Sequence, residues 1–202
     1  MASITPASAN RRAADRRGLV VLLLGAGLAL FSARLPADFA VRDVQARIID
    51  LSVVFNARLE LNLSARTEEA LSKGIPLDIV AEFGLILHRW LLWDKEIADW
   101  RLRRRLQYHA LSGQYLVSGL EPDIYEVESF ASLQDALGYI GNFNNAALPL
   151  TKKKKISPDN EYSLVARVYL DIESLPSPLR PVAYTTPPWH HNSGWTQWNV
   201  TQ

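Results

Sequence analysis

Apolar and polar residues alternate along residues 51–63, and this is the clearest pattern in the chain. The positions between the apolar residues are polar, with Val54 as the exception. Because successive side chains of an extended strand point to opposite faces, the pattern predicts a half-buried antiparallel strand. Residues 39–48 show a weaker alternation and are predicted to pair with it through a turn near Asp50. The apolar face comprises Leu51, Val53, Phe55, Ala57, Leu59, Leu61 and Leu63.

Two further segments are predicted to be long strands. Residues 77–93 are apolar on both faces, but Asp78, Glu82, His88 and Arg89 interrupt them. These polar residues favour a strand buried on both sides over a membrane span. Residues 162–172 alternate again and predict another strand.

Residues 97–120 are predicted to form a hairpin, because apolar residues share one parity before a Ser-Gly turn. A turn at that dipeptide matches the inward faces of the two strands. The expected cross-strand pairs are Tyr108 with Val117 and Ala110 with Tyr115.

Two short helices are predicted from their capping residues. Ser64 is expected to cap a helix over residues 65–73, which ends at Gly74. Ser132, with Asp135 three residues later, has a capping-box pattern and is expected to begin the second helix.

The remaining segments are interpreted as connections. Residues 141–145 and the lysines of 152–155 are predicted to form a polar loop. Pro176, Pro178 and Pro181 favour extended, polyproline-like backbone. The fold is therefore predicted to be mainly β (α+β). We expect an antiparallel β-sandwich or a strongly curved sheet with two short helices, preceded by an N-terminal apolar helix.

The N-terminal residues 1–37 differ in composition from the rest. Four arginines precede an uncharged apolar run at residues 18–33, which is short for a membrane span and typical of a secretory signal. The best cleavage position follows Ala37, but the match is poor, so a signal peptide and an uncleaved membrane anchor both remain open. Residues 38–202 are predicted to form a single exported β-rich domain in the periplasm. It would be either released or tethered to the cytoplasmic membrane through residues 18–33, with the N-terminus inside.

The amino-acid composition excludes several kinds of functional site. The chain has 202 residues and no cysteine, which excludes disulfides, zinc-thiolate sites and thiol nucleophiles. Residues 1–37 hold five of the 22 basic and one of the 21 acidic residues, leaving 17 basic and 20 acidic groups in residues 38–202. The domain is thus mildly acidic, which does not favour a nucleic-acid partner, and we expect no cofactor.

An arginine cluster is the strongest candidate for chemistry. Arg101, Arg103 and Arg105 are predicted to project from one strand face, where they would contact an anion or a lipid headgroup. The alternative is a solvated face paired with nearby acids such as Asp94, Glu96, Asp99, Glu126 and Glu128. Arg104 points inward by parity and needs a carboxylate there, with Glu82 or Asp171 as candidates.

Signals for catalysis are weak. The four histidines, His88, His109, His190 and His191, lack the spacing of a metal site. There is no G-x-S-x-G motif for a serine nucleophile and no phosphate-binding glycine loop. Two tryptophan groups are expected to lie mainly in the core, with a sugar-stacking role as the alternative. They are Trp90, Trp93 and Trp100, and Trp189, Trp195 and Trp198.

An ordered set of short motifs resembles the proteobacterial domain-of-unknown-function family 4390 over roughly residues 39–200. The motifs are Glu69-Ala70-Leu71, Gly74-Ile75-Pro76-Leu77, Arg89-Trp90, Leu106-Gln107-Tyr108-His109-Ala110-Leu111, Gln114-Tyr115, Phe130-Ala131-Ser132-Leu133, Ala136-Leu137, Leu170-Asp171-Ile172, Leu175-Pro176, Pro178-Leu179 and a Trp-rich end.

The resemblance implies an exported bacterial envelope protein and supplies no catalytic residues. It also implies an envelope protein partner such as a sensor kinase, since members are often encoded beside one. We therefore expect a non-catalytic binding or accessory module, with a role in envelope sensing. The alternative is an enzyme or carrier that acts on envelope lipid or glycan through the arginine-rich face or the tryptophans.

Overall fold

A computed structural model describes residues 39–119, 126–151 and 156–201. The apolar run at residues 18–33, its cleavage region and the lysines of 152–155 lie outside the described residues. Residues 36–202 form one compact unit. Within the part of the chain that is described, no helix is long and apolar enough to cross a membrane.

The domain is built on one nine-stranded, strongly curled sheet, which confirms the mainly β prediction. Its strand order is β6-β5-β4-β3-β8-β9-β1-β2-β7. The strands are β1 Phe39–Ile49, β2 Ser52–Leu61, β3 Leu77–Leu87, β4 Lys95–His109, β5 Gln114–Gly119, β6 Val127–Phe130, β7 Asn142–Pro149, β8 Tyr162–Leu170 and β9 Thr196–Thr201. The helices are α1 Ala65–Ser72, α2 Leu133–Gly141 and α3 Arg180–Thr185, of which the third was not predicted.

The curl brings distant strands face to face around the core. Three strands separate β2 from β3 in the sheet, yet the ring centroids of Phe55 and Phe83 lie 4.7 Å apart. Phe143 of β7 packs against both rings, at 5.5 and 5.6 Å. Trp100 of β4 donates from its Nε1 to the Pro149 carbonyl 3.0 Å away. The concave side of the sheet is therefore the apolar core, and the convex side of β3, β4 and β8 is left for polar groups.

The hairpin of β1 and β2 confirms the strand that was predicted from the alternating residues 51–63. β1 and β2 pair antiparallel, and Asp50 at their turn has a φ of 51°. The odd-numbered residues from Val53 to Leu63 are buried, because they face the concave side. Leu51 is exposed, since it lies in the turn and not in the strand.

Both capped helices begin where expected. Ser64 Oγ accepts a hydrogen bond from Thr67 N at 3.2 Å, and Ser132 Oγ accepts one from Asp135 N at 3.1 Å. At Gly141, the end of α2 lies directly on β2. A Cβ there would be 2.3 Å from the Leu59 carbonyl oxygen, so this approach requires glycine.

Two strand predictions were wrong in detail. The strand predicted for residues 77–93 ends at Leu87, and residues 88–94 form a loop with both Trp90 and Trp93 exposed. The second hairpin pairs Tyr108 with Tyr115, two residues away from the predicted register. The faces are unchanged, because a shift of two residues preserves the side on which each side chain lies.

Two connections were also assigned wrongly, and one further strand was not predicted. Residues 142–149, predicted to begin as a loop, form β7, because they pair with β2 directly after α2. The proline segment forms a turn at residues 177–179 and then α3, with Pro181 in the first turn of α3, where the missing N–H is tolerated. The C-terminal residues form β9, which lies between β8 and β1 and runs parallel to β1.

Candidate functional site

The convex side of β3, β4 and β8 carries a dense polar cluster, here called the outer face. Asp78, Val80 and Glu82 alternate with apolar core residues along β3 and so point away from the core. In the ladder with β4, their cross-strand neighbours are Arg105, Arg103 and Arg101, respectively. Arg167 and Tyr169 of β8 complete the outer face from the other side of β3.

Glu82 is the centre of the outer face. Its carboxylate accepts hydrogen bonds from Arg101 Nε at 2.8 Å, Arg167 Nε at 2.7 Å and Tyr169 Oη at 3.0 Å. Burial raises the pKa of this carboxyl group, but the hydrogen bonds from the two arginines and the tyrosine outweigh burial and lower the pKa from its ordinary value. Glu82 is therefore a fixed anion at neutral pH and has no proton to donate as a general acid.

The other two β4 arginines on the outer face, Arg103 and Arg105, are also paired with acids. Asp78, which is almost completely buried, accepts from Arg105 through two parallel contacts, Nε to Oδ1 at 2.8 Å and Nη2 to Oδ2 at 3.0 Å. Arg103 Nη2 lies 3.0 Å from Asp171 Oδ2. Bidentate arginine–carboxylate pairs fix both the position and the plane of the guanidinium group. Ion pairs between neighbouring strands thus hold the side chains of the outer face in place.

The arginines also cover apolar surface. Val80 is fully buried although it lies on the outer face, between Arg103 of β4 and Tyr169 of β8. Arginine side chains can bury their methylene groups on such a surface and keep the charged end near water. This explains why β3 is buried on both sides, as its sequence predicted.

A cleft of about 500 Å³ opens at one end of the outer face. The Arg167 guanidinium lies 4.6 Å from the Trp195 ring centroid and 5.0 Å from that of Tyr169, which fixes the indole beside the cleft by cation–π contact. Trp195 is 54% exposed, so part of its ring remains open to a ligand. The cleft is lined by Glu82, Phe83, Gly84, Glu96, Asp99, Trp100, Arg101, Val165, Arg167 and Trp195.

The predicted site residues lie together as expected, but their partners differ. Arg101, Arg103 and Arg105 share the outer face, and each is paired with an acid. The acids are Glu82, Asp171 and Asp78 rather than the five candidates taken from nearby in the sequence. The strand order decides this, because β3 lies between β4 and β8, so acids of β3 and of the segment just after β8 come within reach of the β4 arginines.

The partner suggested for Arg104 was wrong. Glu82 and Asp171 bind other arginines, whereas Arg104 donates from Nη1 to the Arg103 carbonyl at 3.2 Å. Arg104 lines a separate cleft beside α2, together with Asp135 and Tyr139.

Sequence reasoning missed Arg167 and Tyr169 as members of a site, and it named Trp195 only as part of a tryptophan group expected to lie mainly in the core. A usable signal was present, since β3 and β8 are largely apolar strands and yet carry charged residues, Asp78 and Glu82 in β3 and Arg167 in β8. Charged residues in such strands need partners, and the partners must come from the neighbouring strands.

A second polar network lies at the start of β8. His88 Nε2 is 2.8 Å from Ser163 Oγ, and His88 Nδ1 is 3.0 Å from Asp94 Oδ2. This is the connectivity of a serine hydrolase triad. Ser163, however, has no exposed surface. The network therefore ties the two ends of the 88–94 loop to β8.

The remaining histidines make packing or capping contacts. His191 is buried against the Phe39 ring at 5.0 Å and lies 3.0 Å from Thr67 Oγ1. His190 Nε2 contacts the Tyr184 carbonyl at 3.1 Å. In residues 39–119, 126–151 and 156–201, no group of three or more His, Asp or Glu residues is arranged to hold a metal ion.

Comparison with known families gives one match. The family described as "Domain of unknown function (DUF4390)" matches residues 37–199, which include every element described above except the last two residues of β9. No curated protein and no solved structure matches the chain. Since the match spans most of the chain and agrees with the resemblance seen in its motifs, the protein belongs to the DUF4390 family.

Proposed function

We propose that this protein is an exported, non-catalytic binding module of the cell envelope, and that its ligand is a sugar ring of an envelope glycan held in the cleft beside Trp195. The observation that carries the proposal is the contact between Arg167 and Trp195, 4.6 Å from guanidinium carbon to ring centroid. It places an exposed aromatic ring next to hydrogen-bonding groups whose positions are already fixed.

The cleft has the parts that such a ligand needs. An indole face packs against the apolar face of a sugar ring, while charged side chains exchange hydrogen bonds with its hydroxyl groups. Glu96 and Asp99 line the cleft as acceptors, and Arg101 lines it as a donor. Its volume of about 500 Å³ lies in the range of small-molecule sites. Because Glu82 holds Arg101 and Arg167 in place, little side-chain freedom is lost on binding.

The same geometry favours binding over catalysis. Glu82 is ionised and already accepts three side-chain donors, so it is poorly suited to proton transfer. The Ser163–His88–Asp94 network is the feature that favours an enzyme instead, but the Ser163 hydroxyl is closed to substrate. A fluorophosphonate probe should leave the protein unlabelled. Labelling that is lost in Ser163→Ala would establish a hydrolase and overturn the non-catalytic proposal.

Ligand binding is tested by thermal shift with soluble muropeptides and, separately, with lipopolysaccharide core oligosaccharides. A ligand that binds only the folded state raises the melting temperature. We expect one of these glycans to do so, and Trp195→Ala to abolish the shift. Trp90→Ala is the matched control, since Trp90 is also exposed but lies outside the cleft. Absence of a shift with both glycans, or an equal shift in Trp195→Ala, would refute the glycan site.

Export has its own test. The arginines and apolar run of residues 11–34 support it, so an alkaline phosphatase fused to the C-terminus should be active in cells. An inactive fusion would refute export. An envelope sensor kinase is the partner class that we propose, and crosslinking of a tagged protein in cells would identify it.

A further inference from the structure

The loop between β3 and β4 exposes four large apolar side chains in a row. Trp90 and Trp93 are 92% and 91% exposed, and Leu91 and Leu92 between them are 70% and 64% exposed. We call residues 90–93 the apolar tip. Single exposed apolar residues are common on protein surfaces, but a contiguous group of this size usually marks an interaction site.

Contacts at the two ends of the loop hold the apolar tip in place. His88 and Asp94, at the two ends of the loop, are joined by the 3.0 Å contact between Nδ1 and Oδ2. His88 Nε2 is also 2.8 Å from Ser163 Oγ and 3.1 Å from Gln197 Nε2, which fastens the loop to β8 and β9. Across the loop, Arg89 Nε donates to the Trp93 carbonyl at 2.9 Å. These contacts keep the tip projecting into solvent, so much of the ordering cost of binding is met before a partner arrives.

We propose that the apolar tip inserts into the surface of a lipid bilayer. All four side chains are exposed, and neighbouring residues of a turn point in different directions. A protein groove would cover some of them and leave the others in water, whereas a fluid hydrocarbon surface surrounds them all. The order of the four residues along the loop also fits a bilayer, because tryptophan favours the headgroup level of a membrane and leucine favours the hydrocarbon below it. Here the two leucines lie between the two tryptophans.

The apolar tip lies at the end of the sheet opposite to Phe39. Leu87, just before the loop, pairs with Tyr162 at the start of β8, whereas the end of β8 lies beside His191, which stacks on Phe39. The core described above consists of residues from 39 onward. The apolar tip therefore belongs to the compact unit of residues 36–202. A domain of residues 37–202, with its folding checked by a cooperative melting transition, is thus the suitable sample.

This inference extends the proposed binding role by naming a second partner, but it rests on the loop and not on the cleft. Sedimentation with phosphatidylcholine vesicles, and with vesicles containing one quarter phosphatidylglycerol, tests it in 0.15 M salt. We expect binding to both, because the driving force is apolar. Exchanging both leucines, Leu91→Ser with Leu92→Ser, should weaken partitioning at least tenfold. Leu111→Ser is the control, since Leu111, at the tip of the β4–β5 hairpin, is even more exposed than either leucine of the apolar tip. Equal binding of the double variant and the control, or no binding by the wild type, overturns the proposal.

The absence of cysteine allows a second, positional readout. A nitrobenzoxadiazole label on Leu92→Cys should shift to shorter wavelength with vesicles and be quenched by nitroxide-labelled lipid. The same label on Leu111→Cys should stay accessible to aqueous iodide. Equal iodide quenching at both positions overturns insertion, and so does a wavelength shift that grows with protein concentration in the absence of lipid, because it indicates self-association. Trp195→Ala should retain vesicle binding, so failure of the glycan site and failure of membrane insertion are distinguishable.

Discussion

Arg167 donates to a single oxygen of Glu82 from two nitrogens, Nε at 2.7 Å and Nη2 at 2.6 Å. The same guanidinium lies 4.6 Å from the Trp195 ring centroid, on the side of β8 that faces solvent. One side chain thus connects a nearly buried carboxylate to an exposed aromatic ring. Since the carboxylate belongs to β3 and the ring to the segment before β9, the cleft depends on the assembled sheet.

Loss of the Glu82 charge should destabilise the fold. We expect Glu82→Gln to lower the free energy of unfolding by roughly 2–3 kcal/mol, because hydrogen bonds to charged groups contribute about that much each and the arginines lose their anion. Urea unfolding measures the change. Glu96→Gln in the same cleft is the control and should stay within about 0.5 kcal/mol of wild type, as expected for a surface position. Equal effects of the two substitutions would show that the network contributes nothing to stability.

The Glu82 contribution should depend on pH. Its pKa in the folded protein lies below the ordinary value of 4.5, so the folded state binds this proton less readily than the unfolded chain does. The stabilisation is fully present above pH 4.5 and is lost as the pH falls toward the folded-state pKa. The stability difference between wild type and Glu82→Gln should therefore be constant near neutral pH and shrink in acid. A difference that grows in acid would contradict this assignment.

Helix α2 offers a matched pair of glycines. A Cβ at Gly141 would meet the Leu59 carbonyl oxygen at 2.3 Å, whereas a Cβ at Gly138 meets nothing within 4 Å. Gly141→Ala should cost about 3 kcal/mol, at the upper end for overpacking, because the obstacle is backbone. Gly138→Ala should instead stabilise the protein by about 0.5–1 kcal/mol through reduced entropy of the unfolded chain. Chemical denaturation of both variants checks the pair, and similar values would contradict the close contact between α2 and β2.

Removing the His88 contacts that fasten the 88–94 loop should make the apolar tip more mobile. His88→Ala removes the contacts to Asp94, Ser163 and Gln197, so a fluorophore on Leu92→Cys should gain motion. Its steady-state anisotropy is expected to fall. His109→Ala, in the neighbouring hairpin, is the control and should leave the anisotropy unchanged. Unchanged anisotropy in His88→Ala would show that the loop is held by other contacts.

Local patterns predicted much of the fold because local physics produces them. The alternation over residues 51–63 marks β2, since one face of the strand must be buried. Ser64 and Ser132 mark helix starts, since their hydroxyls satisfy amide groups that the helix itself leaves unpaired. The shared parity of Arg101, Arg103 and Arg105 followed from the same strand geometry. Each of these features depends only on residues that lie within a few positions of it along the chain.

The pairing of strands was beyond such patterns. The hairpin register differed by two residues because the chain turns through residues 110–113, and both registers bury the same faces. The strand β7 was taken for a loop because its amide-rich sequence lacks a strand pattern until β2 lies beside it.

The amino-acid pattern was enough to predict the buried apolar face of β2, the arginine row of β4 and the starts of the two capped helices. What those faces contact follows from the folded domain. Its strand order brought Glu82 between Arg101 and Arg167, inserted β9 between β8 and β1, and left Trp90 and Trp93 outside the core. The physical reason is that side-chain direction follows from the local period of the backbone. Which strands become neighbours in the sheet, by contrast, depends on the burial and the charge balance of the whole domain.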